Sequence, residues 1–423
     1  MSNKTDVREK YTREVAGTKK GLRCRICTGC GLCPGITPDG AAAEGLHILA
    51  EDALLGESVP MPGSRRLAVA DIGTTTVAML LYGADGSVKD RYMAVNPQTA
   101  YGADVISRIR AAEDIKAAED MRLMIRRVLE HGLERFAKQL NAGEELYLVL
   151  AANTTMTYLL MGWNTSELGY APFHASRLSG TETQIGDVPC FVFPGLSAFV
   201  GGDIAAGIYA GGMCDREELT LLLDLGTNGE MVLGNRERRI ACATAAGPAF
   251  EGGVNKGIWG ADMISLLARL KEEEVLDKTG LLCPAYFESG IRIGNVLITQ
   301  QAVRSVQLAK GAIAAGIEVL LDKYGTVPEK VDRVVLAGGF GYYLRPEAAA
   351  ELGILPQAMA DRTVAGGNTA LTGALLAGRR ILADGGCLSL EKQLAESVLK
   401  TEVINLAEVP AFEKYYVERM NFE

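Results

Sequence analysis

The sequence predicts an α/β protein built as two lobes around a cleft, preceded by a small cysteine-rich segment. Three observations carry this. Two distant segments, "VADIGTTTVAML" and "LLLDLGTNGEMVL", share one layout: apolar strand, aspartate, apolar residue, glycine, threonine. Strand-length apolar runs alternate with long amphipathic stretches, yet several strands come as hairpins, which argues against a purely parallel βαβ series. Four cysteines, Cys24, Cys27, Cys30 and Cys33, are crowded into "GLRCRICTGCGLCPG".

The chain has 423 residues, 48% hydrophobic and 22% charged, enough for a large core and at least two folding units. A net charge of -9, with no arginine-rich tail, argues against broad nucleic-acid binding. No run approaches the roughly 20 apolar residues that cross a bilayer. The start, "MSNKTDVREKYTREVAG", lacks the apolar centre of a secretory signal. A cytoplasmic location without membrane insertion is therefore expected, where thiols stay reduced and available to a metal or cluster.

Residues 1–64 are polar and turn-rich, with little apolar material for a core of their own; metal ligation would supply the missing stability. From Leu67, "LAVADIG" reads as a buried strand and "TTVAMLLYGADG" as its hairpin partner, closed at Asp85-Gly86. Asp104 to Leu140 is helical in character, with Ile106, Ile109, Ile115, Met121, Ile125 and Leu129 between charges. "ELYLVLAANTT" returns as a strand, followed by the helix "MTYLLMGW", the short strand "CFVFPG" and the glycine-bearing helix "GGDIAAGIYAGGM". A second strand–turn–strand unit opens at "ELTLLLDLGTNGEMVLGN". The long helix "LITQQAVRSVQLAKGAIAAGIEVLLDKYG", the strand "VDRVVLAGGFG", the helix "NTALTGALLAGRR" and a mixed tail complete the chain. The implied division is 1–64 for the cysteine segment and linker, 65–215 for lobe I, 216–365 for lobe II, and 366–423 returning to lobe I.

The two Asp-x-Gly-Thr turns are the candidate site. Gly73 and Gly226 let the backbone turn tightly, Thr74, Thr75, Thr76 and Thr227 offer hydroxyls, and successive amides can face phosphate oxygens. Asp71 and Asp224 suit Mg²⁺ or its bound water, since a bare carboxylate facing phosphate would repel it. A single turn of this kind is usually an ordinary hairpin; two at matching strand ends, with "LAGGFG" beyond them, point to a nucleotide between lobes. Asp203 in "GGDIAAG" is a further cleft candidate, although a helix-cap role explains it equally well. Neither GxxxxGK[ST] nor a dinucleotide-type GxGxxG occurs.

Taken with "NPQTAYGADVISRI", "ANTTMTYLLMGWNTSELGYAPF", "ATAAGPAFEGG", "GNTALTGALLAG" and "LAEVPAFEKYYVERMNF", these blocks resemble the ATP-dependent reductive activators of corrinoid proteins. That family belongs to the actin, sugar-kinase and heat-shock ATPase superfamily. The resemblance covers about residues 65–423 and implies a two-lobed actin-like (ribonuclease H-like) ATPase fold that uses ATP and Mg²⁺. It implies ATP-driven return of Co(II) to Co(I) in a corrinoid protein of a methyltransferase system, with electrons from a low-potential donor through an iron–sulfur centre, and a homodimer. Carried over residue by residue, it places Asp71, Gly73, Thr74, Thr75, Asp224, Gly226, Thr227 and Asn228 at phosphate, and Gly338, Gly339 and Gly341 at adenosine. Gln98 and Asn153 lie in family blocks; Asp224, Asp203 and Gln98 are the candidates for positioning the attacking water.

Such activators usually begin with a plant-type ferredoxin domain, whose cysteine spacing differs from the run seen here. Cys27-x-x-Cys30-Gly-x-Cys33-Pro resembles part of a 4Fe-4S pattern, with Cys24 as a candidate fourth ligand. Four thiolates equally suit tetrahedral Zn²⁺. The spacing leaves both open, and the resemblance favours the 4Fe-4S cluster. Rival functions are activation of another low-potential metalloenzyme, a small-molecule kinase of the superfamily, and a nucleotide-dependent assembly protein with structural zinc. The scattered cysteines read as packing residues.

Overall fold

A computed structural model describes residues 59–226, 228–244, 260–294 and 296–422. The cysteine run at 24–33 and Thr227 lie outside the described residues. The first sheet comprises β1 (Arg65–Ile72), β2 (Thr76–Tyr82), β3 (Val88–Val95), β4 (Glu145–Ala152), β5 (Thr181–Ile185) and β6 (Val188–Val192), ordered β3-β2-β1-β4-β6-β5. β1, β4 and β6 run parallel, while β2, β3 and β5 join as antiparallel hairpin arms. The second lobe opens with β7 (Thr220–Leu225), β8 (Gly229–Gly234) and β9 (Arg239–Thr244), then a ribbon of β10 (Ile291–Ile293) and β11 (Val296–Ile298). With β12 (Arg333–Ala337), β13 (Thr363–Gly367) and β14 (Glu402–Ile404), its sheet is ordered β13-β12-β7-β8-β9-β14. In both sheets the aspartate-bearing strand is central and its hairpin partner follows the glycine turn.

The period-2 alternation of side chains decides what each face packs against. In β1, Leu67 and Val69 enter a core shared with Leu222, Val232, Ala241 and Val335 of the second sheet, while Ala68, Ala70 and Ile72 enter a separate outer core. In β7, Leu221, Leu223 and Leu225 face the other outer core. The shared core is filled by helices Gly202–Ala210 and Thr369–Asp384, which lie between the sheets. The outer faces are covered by Ile115–Ala137 on one side and by Gly260–Glu272 and Gln300–Tyr324 on the other. The result is helix, sheet, helix pair, sheet, helix.

The central helices approach through small residues. A Cβ on Gly373 would lie 2.1 Å from the Ala206 carbonyl oxygen, and one on Gly207 would lie 3.0 Å from Thr369 Oγ1. The glycines that weaken intrinsic helix propensity here permit the close approach of the two central helices.

Three features differ from the sequence reading. The helical stretch after Asp104 is two helices, Val105–Ala111 and Ile115–Ala137, because Asp114 accepts from the Ala117 amide and caps a new start. Helix Gly260–Glu272 and the strands β3, β5, β9 to β11 and β13 were not anticipated. Only the first part of 366–423 packs on lobe I: β14 extends the second sheet beside β9, and helix Pro410–Glu418 lies against Gln300–Tyr324. The chain end is fastened there too, with Lys310 donating to the Asn421 carbonyl at 2.6 Å. Cys190, Cys242 and Cys387 are buried and Cys214 and Cys283 partly so, as packing cysteines should be. Among the described residues no helix is long and apolar enough to cross a membrane.

Candidate functional site

Strand parity brings the acids together. Asp71 follows Leu67 and Val69 on the central face of β1, and Asp224 follows Leu222 on the central face of β7. Glu230, directly opposite Asp224 in the β7–β8 register, shares that face with Val232. Asp203 enters from the first turn of helix Gly202–Ala210 in the layer between. Four carboxyl groups from both lobes therefore share one cleft.

Burial, and for three of them neighbouring negative charge, raises their proton affinities. Burial pushes Asp71 up to about 6, although a hydrogen bond from Asn368 opposes this. Burial and then the Asp71 charge push Asp203 to about 7, and burial with Asp203 and Asp71 pushes Asp224 to about 8. Glu230 lies well above the usual carboxylate range through burial, Asp203 and Asp224. Each group binds its proton more tightly folded than unfolded, so the folded state carries more protons from about pH 4 upward and loses stability as those protons leave. The expected result is a metal-free protein whose melting temperature falls as pH rises from 5 through 8; thermal denaturation at constant ionic strength checks it, and a rise over that interval contradicts it.

The first turn is held from behind. The Gly73 amide donates to Thr76 O at 2.8 Å, Asn96 Nδ2 to Gly73 O at 2.9 Å, and Asn153 Nδ2 to Thr74 Oγ1 at 3.1 Å. Asn153 also caps helix Thr154–Met161 by accepting from the Met156 amide, so the turn is tied to a helix start. In the second turn the Gly226 amide donates to Asn228 O at 2.9 Å, and a Cβ on Gly226 would meet nothing within 4 Å. That open backbone is what close approach of a ligand requires. Gly338 has φ +77°, and a Cβ there would stand 2.4 Å from Asp224 Oδ1. Only glycine fits, and it brings the 338–341 segment beside the second turn. A Cβ on Gly339 meets open space, whereas Gly341 backs onto Leu225.

The sequence-derived residues thus divide. Asp71, Asp203, Asp224, the turn at 73–76, Gly226, Asn228 and Gly338–Gly339 border the cleft. Gln98 does not: it follows Pro97 in a tight turn, is fully buried, and donates Nε2 to Met121 O at 3.0 Å, so its amide is committed to helix Ile115–Ala137. Thr227 and Cys24, Cys27, Cys30 and Cys33 are outside the described residues. Among the described residues no three His, Cys, Asp or Glu side chains stand close enough together to ligate one metal ion directly.

Four residues escaped the sequence reading: Glu230, Asn96, Arg108 and Asn368. Asn368 donates Nδ2 to Asp71 Oδ2 at 2.8 Å and accepts from the Leu371 amide, so one side chain caps helix Thr369–Asp384 and orients the first aspartate. The cap was legible in "NTAL"; its second partner was not.

Two sheets with hairpin turns facing across a central helix pair, each turn carrying an aspartate, define the actin-like class of ATPase folds. Within that class the chain belongs to the RACo family. The model of the RACo middle region matches residues 67–216, and that of the C-terminal ASKHA domain of RACo matches 218–257 and 254–423. The corrinoid activation enzyme RamQ of Eubacterium limosum is 29% identical over 374 residues, covering 72% of this chain and 63% of its own. A Co(II) methylated amine-specific corrinoid protein reductase of Methanosarcina barkeri is 26% identical over 249 residues, covering 47% and 46%. The chain thus spans less than two thirds of either relative. A solved reductive activator for a corrinoid, iron-sulfur protein superposes with TM-score 0.73 at 27% identity, covering 85% of this chain and 67% of that one.

Proposed function

We propose that this chain is an ATP-hydrolysing activator of a corrinoid protein, delivering one electron from a low-potential donor to convert Co(II) to Co(I). The observation that carries the reading is the four-acid cleft between paired glycine turns in a RACo-family fold. Its donor set is all oxygen, which fits Mg²⁺, and the carboxyls, raised first by burial and at Asp203, Asp224 and Glu230 also by neighbouring acids, are groups whose ionised form a divalent cation would favour. Asp71, Asp203, Asp224 and Glu230 would hold the ion through its waters, since Mg²⁺ keeps several of them. Magnesium bound to nucleotide supplies charge neutralisation at phosphate.

The chain's residues do the rest. The turns at Gly73–Thr76 and Gly226–Asn228 grip phosphate from opposite lobes, and Gly338–Gly339 admit the adenosine. A nucleotide touching both lobes favours the closed arrangement, and hydrolysis removes part of that preference. Such a cycle drives a partner only through differential affinity for the two states. Asp224 and Asp203 would orient the attacking water. The cysteines at 24, 27, 30 and 33 would hold a 4Fe-4S cluster, with Zn²⁺ as the structural alternative; a cluster supplies one-electron relay.

The test is anaerobic. The chain, a chemical reductant and a Co(II) corrinoid protein are mixed with and without Mg-ATP, and the Co(I) absorption band is followed. Growth that depends on ATP is expected; equal growth without nucleotide contradicts the reading. Cys27→Ser should lower Co(I) formation while ATP turnover persists, and undiminished reduction removes these thiols from the electron path.

A further inference from the structure

The sharpest unassigned feature is Arg108, whose side chain is fully buried directly behind the first glycine turn. It belongs to helix Val105–Ala111, which Asp104 caps by accepting from the Ser107 amide. Its Nε donates to Gly102 O at 2.9 Å, one terminal nitrogen to Met156 Sδ at 3.3 Å, and the other to Thr74 O at 2.5 Å. Met156 Sδ also receives Asn96 Nδ2, at 3.4 Å, and Asn96 in turn holds Gly73 O. Arg108, Asn96 and Met156 thus form one block under two consecutive peptide groups.

Peptide geometry converts that block into an orientation. In a trans peptide the N–H points opposite to the C=O of the same unit. Asn96 pulls the Gly73 carbonyl inward, so the Thr74 amide faces outward. Arg108 pulls the Thr74 carbonyl inward, so the Thr75 amide faces outward as well. Two successive outward amides are the donor pair that an anion-binding turn needs.

Charge adds a second effect. These three hydrogen bonds go to two carbonyls and a thioether, all neutral. Burial lowers the guanidinium's proton affinity, to about 10, with the Asp104 charge opposing this, so it stays cationic at neutral pH. A buried cation facing neutral acceptors is costly until an anion comes near.

We infer that Arg108 is a positioning residue for nucleotide: from behind the turn it aims the Thr75 amide at phosphate and supplies buried positive charge that the phosphates compensate. The inference rests on the first turn being a phosphate cradle.

The test titrates Mg-ATP into the full chain, wild type, Arg108→Gln and Arg108→Lys, and measures melting temperature without nucleotide. Glutamine keeps a donor for Thr74 O without charge; lysine keeps the charge without the fork. Both variants should bind about tenfold more weakly or worse, from loss of a charge-assisted contact. The glutamine variant should melt close to the wild-type temperature when nucleotide-free, because the lost bonds to buried carbonyls are offset by removal of a buried cation countered only in part by Asp104. Wild-type affinity in either variant overturns the inference and leaves Arg108 a structural residue. A wild type that itself binds no Mg-ATP overturns the phosphate reading instead, so the two failures are distinguishable.

Discussion

Asp224→Asn loses roughly a hundredfold or more of Mg-dependent ATP turnover, while the nucleotide-free protein becomes more stable by on the order of 2 kcal/mol at pH 7. Both effects have one cause. Asp224 sits in the cleft with Asp71, Asp203 and Glu230, and its carboxyl is pushed up to about 8 by burial first and by Asp203 and Asp71 second. The amide keeps the shape and is already neutral, whereas at pH 7 the carboxyl must take up a proton to be buried without nucleotide. The amide also removes a charge that would hold Mg²⁺ and stabilise the charge developing on phosphate. Phosphate-release kinetics and thermal denaturation of the same sample check the pair. A variant that loses activity and stability together would show instead that Asp224 is a structural residue whose partners the cleft requires. On this account the carboxyl cluster is a site where unfavourable burial is kept for the sake of nucleotide chemistry.

Gly373→Val gives the largest expected loss of stability. Its Cβ would begin 2.1 Å from the Ala206 carbonyl oxygen, a backbone atom that cannot swing aside, and its methyl groups would press further into helix Gly202–Ala210. Forcing that volume into the central layer costs about 3 kcal/mol or more, against a total of roughly 5–15. The apparent melting temperature should fall by roughly 3 °C or more. The damage reaches the site, because helix Thr369–Asp384 begins at Asn368, the residue that holds Asp71. Any protein that survives should therefore bind Mg-ATP more weakly than wild type. A variant that melts and binds like wild type would mean that the two helices are not packed through this seam.

Much of this was legible in the sequence because it is encoded locally. Glycine and threonine after an apolar strand mark each turn, and alternation around Asp71 and Asp224 fixes the face each occupies. The duplication of the motif indicates two lobes. What escaped depends on contacts that no local pattern carries. Asn368 meets Asp71 across 297 residues of sequence, through the packing of the central helix on β1. Glu230 becomes a neighbour of Asp224 only once the hairpin register is known. Gln98 failed for the opposite reason: its block is distinctive, but the turn at Pro97 sends the side chain to Met121 rather than to the cleft. β14, at three residues, is too short for periodicity to reveal, so the crossing of the chain end into lobe II was not foreseen.

The central claim is that one Mg-nucleotide compensates the four acids shared by the lobes. Calorimetric titration of Mg-ATP at pH 7, run in two buffers of different ionisation enthalpy, tests it directly. Asp203 and Asp224, pushed up to about 7 and about 8, are partly protonated at that pH, so cation binding should release protons and the apparent heat should change with the buffer. Binding with release in wild type and a smaller release in Asp224→Asn is the predicted result; tight binding whose heat is the same in both buffers contradicts the account.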